Sequence, residues 1–337
     1  MNVSLPDQER PVFIVGSPRS GTTLLRNMLN RHPAIAICRA TDFYHYVYLR
    51  RKSFGDLSDL GNRRRLVKEY LNLQRIQRMQ VDLGPLESIL LREGVSYQAF
   101  FASLWRYYAH VHGKRRCGEK NARHAMFTET LCKWYPGSRI LHLVRDPRDA
   151  VASLLRMPFA PNNPIGAARL WQAHNRAALR SQGRPQYQQV RYEQLVADPE
   201  GSLRRICNFI GEEYSPDMLV PNKDGTADRP WLHRAQEQVT AQRVQRWRQE
   251  LSANDLSLVE WVVGSDMKAF EYAPAGRPPS VAAIVRGLAS GAVDGVRRRV
   301  GEFPGALYFV LRSRQLVKEE NAKERFRSRS LTSSPSG

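Results

Sequence analysis

Gly16-Ser-Pro-Arg-Ser-Gly-Thr-Thr23 combines residue types that can hold an anion. Glycines let a backbone turn tightly and approach a charged group closely. If the stretch opens a helix, the unsatisfied N–H groups and the positive end of the helix dipole face that anion. Ser20, Thr22 and Thr23 add hydroxyl donors, and Arg19 adds a permanent cation. The stretch reads as a phosphate cradle. Its spacing fits G-x-x-x-x-G-K-[ST], but Thr22 stands at the lysine position. NTP hydrolysis needs that lysine at the β- and γ-phosphates and a neighbouring hydroxyl on Mg²⁺, so an ordinary NTPase is disfavoured.

Val144-Arg-Asp-Pro-Arg-Asp-Ala-Val-Ala-Ser153 supplies a second cationic stretch. With a strand ending near Val144, Arg145 sits at the carboxyl edge of a sheet, where open α/β sheets bind ligands. Read alone, the segment also fits a solvated helix start with Arg148 and Asp149 as surface charges.

These residues need a framework. Val12–Val15 is a short β-branched run of the kind found in buried parallel strands. A helix is expected from Gly21 to Arg31, with Leu24, Leu25, Met28 and Leu29 on one face and Pro33 beyond its end. Arg139–Val144 and Tyr187–Arg191 are further strand candidates, Pro147 suits the first turn of a helix, and Pro199–Gly211 has a helical pattern. Two or three helices fill residues 63–110. Strands alternating with helices imply a mostly parallel sheet covered on both faces, a three-layer α/β sandwich.

Pro18-Arg-Ser-Gly-Thr-Thr-Leu-Leu25 resembles the 5′-phosphosulfate loop of sulfotransferases that use 3′-phosphoadenosine-5′-phosphosulfate (PAPS). Arg26 to Pro33 continues it as bacterial and tyrosylprotein-type members do. The resemblance implies a P-loop NTPase-like sulfotransferase fold, PAPS as co-substrate without a metal, and a hydroxyl or amine acceptor. Arg145 and Ser153 match the family's 3′-phosphate contacts, and Tyr192 in Val190-Arg-Tyr-Glu-Gln-Leu-Val196 matches the tyrosine beside the adenine. Arg246-Trp-Arg248 is similar to the loop that closes over the nucleotide. It implies phosphate contacts from Arg243 and Arg246 and a packing or stacking role for Trp247, although the usual glycine is missing. The resemblance covers residues 11–272.

The catalytic side departs from the pattern. The family's basic Glu falls on Ala40, which leaves Asp42 as the nearest carboxylate and His45 as a second candidate for the acceptor base. Cys117-Gly-Glu-Lys-Asn-Ala-Arg-His124 resembles the family's Glu-Lys-Thr-Pro-x-His segment, which implies that Lys120 stabilises the departing oxygen, with Arg19 adding positive charge. Asn121-Ala122 replaces Thr-Pro, and His124 reads as a structural or acceptor-side residue. A nucleotide-binding pseudoenzyme of the same fold is the main alternative, and a P-loop small-molecule kinase a weaker one.

The chain of 337 residues carries a net charge of +20, which draws anions such as a phosphorylated cofactor, acidic glycan or anionic lipid. No helix-turn-helix, zinc-finger or stacking-aromatic pattern accompanies it, so specific nucleic-acid binding is not expected. Cys38, Cys117, Cys132 and Cys207 include no C-x-x-C pair and read as reduced core thiols. The first fifteen residues, with Asp7, Glu9 and Arg10, lack the form of a signal peptide, which gives a cytoplasmic expectation. Residues 1–274 are read as the sulfotransferase domain. Residues 275–337 hold twelve Lys/Arg against five Asp/Glu and form a basic extension, partly helical with a disordered end, suited to a membrane surface or polyanion. The acceptor class, whether small molecule, glycan, lipid or protein, is left open. Tyr44, Tyr46, Tyr48, Trp105, Tyr107 and Tyr108 either shape its pocket or belong to the core.

Overall fold

Strand β1 (Val12–Gly16) is buried along its whole length at the centre of a parallel sheet in the computed structural model, which describes residues 10–157, 160–221 and 243–300. The other strands are β2 (Ile35–Cys38), β3 (Arg116–Lys120), β4 (Arg139–Val144) and β5 (Tyr187–Arg191). Their order is β2-β3-β1-β4-β5. β1 pairs Ile14 with Lys120 on one side and with Leu141 on the other. The loops after β1, β3 and β4 therefore emerge side by side at one carboxyl edge.

Side chains alternate across the sheet as a period of two requires. Phe13, Val15, Ala36, Cys38 and Cys117 join a core with the helices Leu60–Leu71, Leu83–Glu93 and Tyr97–Val111. Val12, Ile14, Ile35 and Ile37 face the opposite core, built on the helices Thr22–Arg31 and Pro199–Ile210. A third cluster around Trp171 binds the helices Pro147–Leu155, Pro164–Leu179 and Ala253–Ala269 to Val144. The expected three-layer sandwich is present, and all four cysteines are free and buried.

β2 and β3 are hard to recognise in the sequence, β2 for its shortness and β3 for its polar composition. β2 has only four residues after Pro33–Ala34, and β3 reads Arg-Cys-Gly-Glu-Lys, with no apolar run. β3 is sandwiched between β2 and β1, and a Cβ at Gly118 would lie 1.7 Å from the Val12 carbonyl oxygen, so glycine there permits the close pairing. The aromatic residues of the 43–110 segment are largely core. Tyr44, Trp105, Tyr107 and Tyr108 are buried, with Tyr44 stacked on Phe127 and Trp134, while Tyr46 alone among the six is exposed.

Past the Pro-Pro linker, Ser280 caps a helix, Val281–Val300, that runs through Gly287, Gly291 and Gly295 despite their low helix propensity. Its first turns dock through Ala283 and Ile284 on Ile165 and Leu258. Packing there offsets the glycine cost, and a Cβ at Gly287 would crowd Ile165 at 2.7 Å. Residues 301–337, including Leu307–Leu311, lie outside the described residues, as do residues 1–9. Among the described residues no helix is long and apolar enough to cross a membrane.

Two buried histidines make the fold acid-sensitive. His142 on β4 accepts from the Tyr187 hydroxyl at Nδ1 (2.6 Å) and donates from Nε2 to Asn175 Oδ1 (2.9 Å), while His174 Nδ1 donates to the Leu170 carbonyl (2.8 Å). Burial lowers each to about 4, against about 6.5 in an unfolded chain. Between those values the unfolded state binds more protons, so this stabilisation is complete above about pH 6.5 and is lost as pH falls toward 4. Tm is expected to drop from pH 7 to pH 5 in a calorimetric scan, and a His142→Asn, His174→Gln variant is expected to show a shallower slope.

Candidate active site

The turn between β1 and the Thr22–Arg31 helix needs two residues with positive φ, Arg19 at 72° and Gly21 at 94°. Left-handed backbone is uncommon for a residue other than glycine, so the conformation at Arg19 is held by the contacts of its side chain and its neighbours. Gly21 is the N-cap residue and supplies no side-chain acceptor to the helix's first N–H groups. A Cβ there would lie 2.5 Å from Tyr192 Cδ2, so the glycine both takes the turn and admits the tyrosine ring. Ser20 is fully buried, yet its Oγ has no hydrogen-bond partner. Thr22 is buried and Thr23 half-buried.

Arg145 follows β4 directly. Its guanidinium donates to the carbonyls of Arg19 (3.3 Å) and Arg243 (2.7 Å), lies 3.6 Å from Asp149, and stacks 4.6 Å above the Tyr192 ring. Its Nε is buried without a partner. Two turns into the next helix, Ser153 Oγ accepts from Arg19 Nε at 3.0 Å. This bond joins motifs 134 residues apart.

Asp149, far from being a surface charge, accepts from the backbone N–H groups of Gln245 and Trp247, both at 2.9 Å, and so holds the late basic loop against the site. Arg148 is likewise buried, paired with Asp146 (2.7 Å) and Glu260 (3.0 Å). Trp247 packs between Arg148 and Arg248, whose guanidinium carbons lie 4.3 and 4.5 Å from its ring. Arg243 joins the cluster through its carbonyl, whereas Arg246 pairs with Glu250 at 2.9 Å on a partly exposed side chain. Glu193, beside Tyr192, accepts from Asp146 N–H and the Tyr272 hydroxyl. Sequence reasoning passed over Glu193 and Asp149 because an acid among basic residues reads as a surface charge.

The neighbouring loops carry the remaining candidates. Lys120 ends β3 and is half-buried. Asp42 sits in a left-handed turn (φ 52°), is only 1 % exposed, pairs with Arg75 and accepts from Asn121 Nδ2 at 3.0 Å. Burial alone raises its pKa, but Arg75, Arg123, His45 and Asn121 outweigh burial and leave it below the usual aspartate value. His45 is neutral, brought down to about 3 mainly by burial. Ala40 carries no proton-transfer group. Glu119, not singled out by its position in the sequence, is buried beside Asp42 and pushed up to about 8 by desolvation.

The arrangement can grip two anionic groups at once, one in the 16–23 loop and one between Arg145 and Ser153, with an aromatic ring between them. A model of the Sulfotransferase family matches residues 11–216. Protein-tyrosine sulfotransferase 2 of Gallus gallus is 28% identical over 248 residues, 68% of this chain and 59% of that protein. Nodulation protein NoeE of Sinorhizobium fredii is 26% identical over 293 residues, 76% of this chain and 64% of its own length. The chain thus spans less than two thirds of either relative. The sulfotransferase domain from the Synechococcus PCC 7002 olefin synthase shares the fold, with a TM-score of 0.54 at 24% identity, covering 81% of this chain and 98% of that domain. Because the family match takes in more than half of the chain and both cationic motifs, the chain belongs to the sulfotransferase family.

Proposed function

We propose that this sulfotransferase takes its sulfuryl group from PAPS and delivers it to a hydroxyl or amine acceptor. The observation that carries this reading is the Arg19–Ser153 hydrogen bond, which couples the phosphate loop to the Arg145 motif. PAPS needs a socket at each end of its ribose, unlike ATP. The residues fit it: the orphan Ser20 hydroxyl and Arg145 Nε are buried donors awaiting an acceptor, and Tyr192 offers a ring between the two sockets.

In the reaction the acceptor oxygen or nitrogen attacks sulfur as the bond from sulfur to the 5′-phosphate oxygen breaks. The acceptor proton passes to a base, and adenosine 3′,5′-bisphosphate departs. Arg19, the loop N–H groups and Lys120 supply positive charge where negative charge grows on the departing oxygen. Asp42 is the assigned base, kept ionised at neutral pH because, against its burial, Arg75, Arg123 and Asn121 hold it below the usual aspartate value. Its burial and its pairing with Arg75 also favour the pseudoenzyme reading, since a charge-paired carboxylate is a weak proton acceptor. The relatives' names include a protein-tyrosine sulfotransferase and carbohydrate sulfotransferases, which supports a protein or sugar hydroxyl as acceptor.

Residues 275–337 we assign to a membrane-surface role attached to this domain. Support comes from Val281, Val285 and Leu288, three exposed apolar side chains at i, i+4 and i+7 beside exposed Arg286.

Arg145→Ala is expected to weaken adenosine 3′,5′-bisphosphate binding tenfold or more in calorimetry and AMP binding far less, because charge-assisted bonds contribute about 1.5–3 kcal/mol each. Equal affinity of the intact protein for both nucleotides would remove the cofactor assignment. Asp42→Asn should lower turnover by about 10²-fold with nucleotide binding intact. Unchanged turnover would take the base role away from Asp42. Co-sedimentation with anionic vesicles at low salt should retain the full chain and release the 1–274 form; equal retention would refute the surface role.

A further inference from the structure

We propose that Glu119 is a positioning residue for sulfuryl transfer, which locks the Thr41–Asp42 turn after β2 to the end of β3 and so fixes Lys120 and Asp42 at the reacting edge. The proposal rests on the sulfotransferase reading above.

Glu119 anchors a chain of buried hydrogen bonds that runs through Thr41, Asp42 and Asn121 to His124, which faces Glu119 again. Its Oε1 accepts from the Thr41 N–H (2.5 Å) and from Thr41 Oγ1 (2.9 Å). Thr41 is followed by Asp42, whose Oδ1 accepts from Asn121 Nδ2 at 3.0 Å. Asn121 Oδ1 accepts from the Arg123 N–H, which sets the amide so that Nδ2 also donates to His124 Nε2, again at 3.0 Å. His124 therefore carries its proton on Nδ1, and that atom faces Glu119 Oε2 across 3.3 Å without a hydrogen bond between them. The five members, Thr41, Asp42, Asn121, His124 and Glu119, are each 2 % exposed or less. Glu119 itself is sealed from solvent, so its effect must pass through what it holds.

What it holds is the catalytic edge. Strand alternation places Glu119 with Cys117 and Phe13 on the aromatic face of the sheet and sends Lys120 to the opposite face, beside the Thr22–Arg31 helix. Anchoring Glu119 thus sets the direction of Lys120. The left-handed backbone at Asp42 is an uncommon conformation that persists where its surroundings over-determine it. Here those surroundings are Glu119 through Thr41, Tyr70 through its hydroxyl on the Thr41 carbonyl (3.0 Å), Arg75, and Asn121.

This network is also proton-dependent. Asp42 after β2, Cys38 from β2, Tyr70, Tyr135, Asn121 and His124 face or interact with Glu119, while Arg75, Arg123 and His45 act on it through Asp42. Burial holds the Glu119 proton to about pH 8, far above an unfolded glutamate at about 4.3. The folded state then binds the extra proton, so this contribution to stability is full below about pH 4 and is lost as pH rises through 8. Above pH 8 a second negative charge forms beside Asp42.

The test compares the full chain with Glu119→Gln, which keeps the shape, and with Thr41→Val, which removes one donor should the first variant fold poorly. Calorimetry with adenosine 3′,5′-bisphosphate, release of that nucleotide from PAPS, hydrogen exchange over residues 40–45, and Tm from pH 6.5 to 8.5 are measured. Glu119→Gln is expected to keep nucleotide affinity within about twofold, lower turnover about tenfold or more as expected for a misplaced group, speed exchange over residues 40–45, and flatten the fall of Tm toward pH 8.5. Thr41→Val should show a weaker form of the same pattern. Parent-like turnover, exchange and Tm slope in both variants would overturn the proposal, as would a loss of nucleotide affinity as large as the loss of turnover. If the parent chain neither binds the nucleotide nor releases it from PAPS, the sulfotransferase chemistry fails and the positioning role fails with it, while exchange and Tm still report whether the lock exists.

Discussion

The site depends on one contact, the hydrogen bond from Arg19 Nε to Ser153 Oγ. It forms because β1 and β4 are neighbours in a parallel sheet, so the loop that leaves β1 and the helix that follows β4 meet at the same edge. A different strand order would separate two motifs that are far apart in the chain. The left-handed turn at Arg19 has the same origin, since it presents the guanidinium to Ser153 while its carbonyl receives Arg145.

Around this contact, buried cations are balanced by buried acids. Arg145 lies against Asp149, and Arg148 against Asp146 and Glu260. Removing either partner of such a pair leaves an uncompensated charge away from water, which is costly. The acids have a second task. Asp149 takes two backbone N–H groups of the 245–247 turn, and Glu193 ties Asp146 to Tyr272. The network that neutralises Arg145 and Arg148 also docks the late helices on the sheet.

The two cationic motifs that the structure brings together stood out in the sequence because each is local: Arg19, Ser20 and Gly21 lie within one turn, and Arg145 and Ser153 lie on one strand end and the helix after it, where the family resemblance singled them out. Arg246, on the same late loop, pairs with Glu250 at 2.9 Å, an ion pair that spacing in the sequence does not single out. β3 was obscure because its stability comes from partners on both sides rather than from an apolar run, and β2 because it is an edge strand of only four residues. The aromatic segment at 43–110 could be read as pocket or core, and only packing decides between them. Trp105 and Tyr44 went to the core.

The acceptor side has a different logic. Where the family pattern has a glutamate, this chain has Ala40, and the nearby carboxylates Asp42 and Glu119 are both withdrawn from solvent. Two acids so close together cannot both ionise cheaply in a buried site. Their pKa values separate accordingly: Asp42 is held down by Arg75 and Arg123 against its burial, while Glu119 is pushed up by desolvation. At neutral pH one negative charge is shared between the two loops, with Asn121 and His124 as uncharged links. The carboxylate chemistry of this edge is therefore a property of the pair and of the loops that hold it, which explains why position in the sequence pointed to Asp42 but not to Glu119.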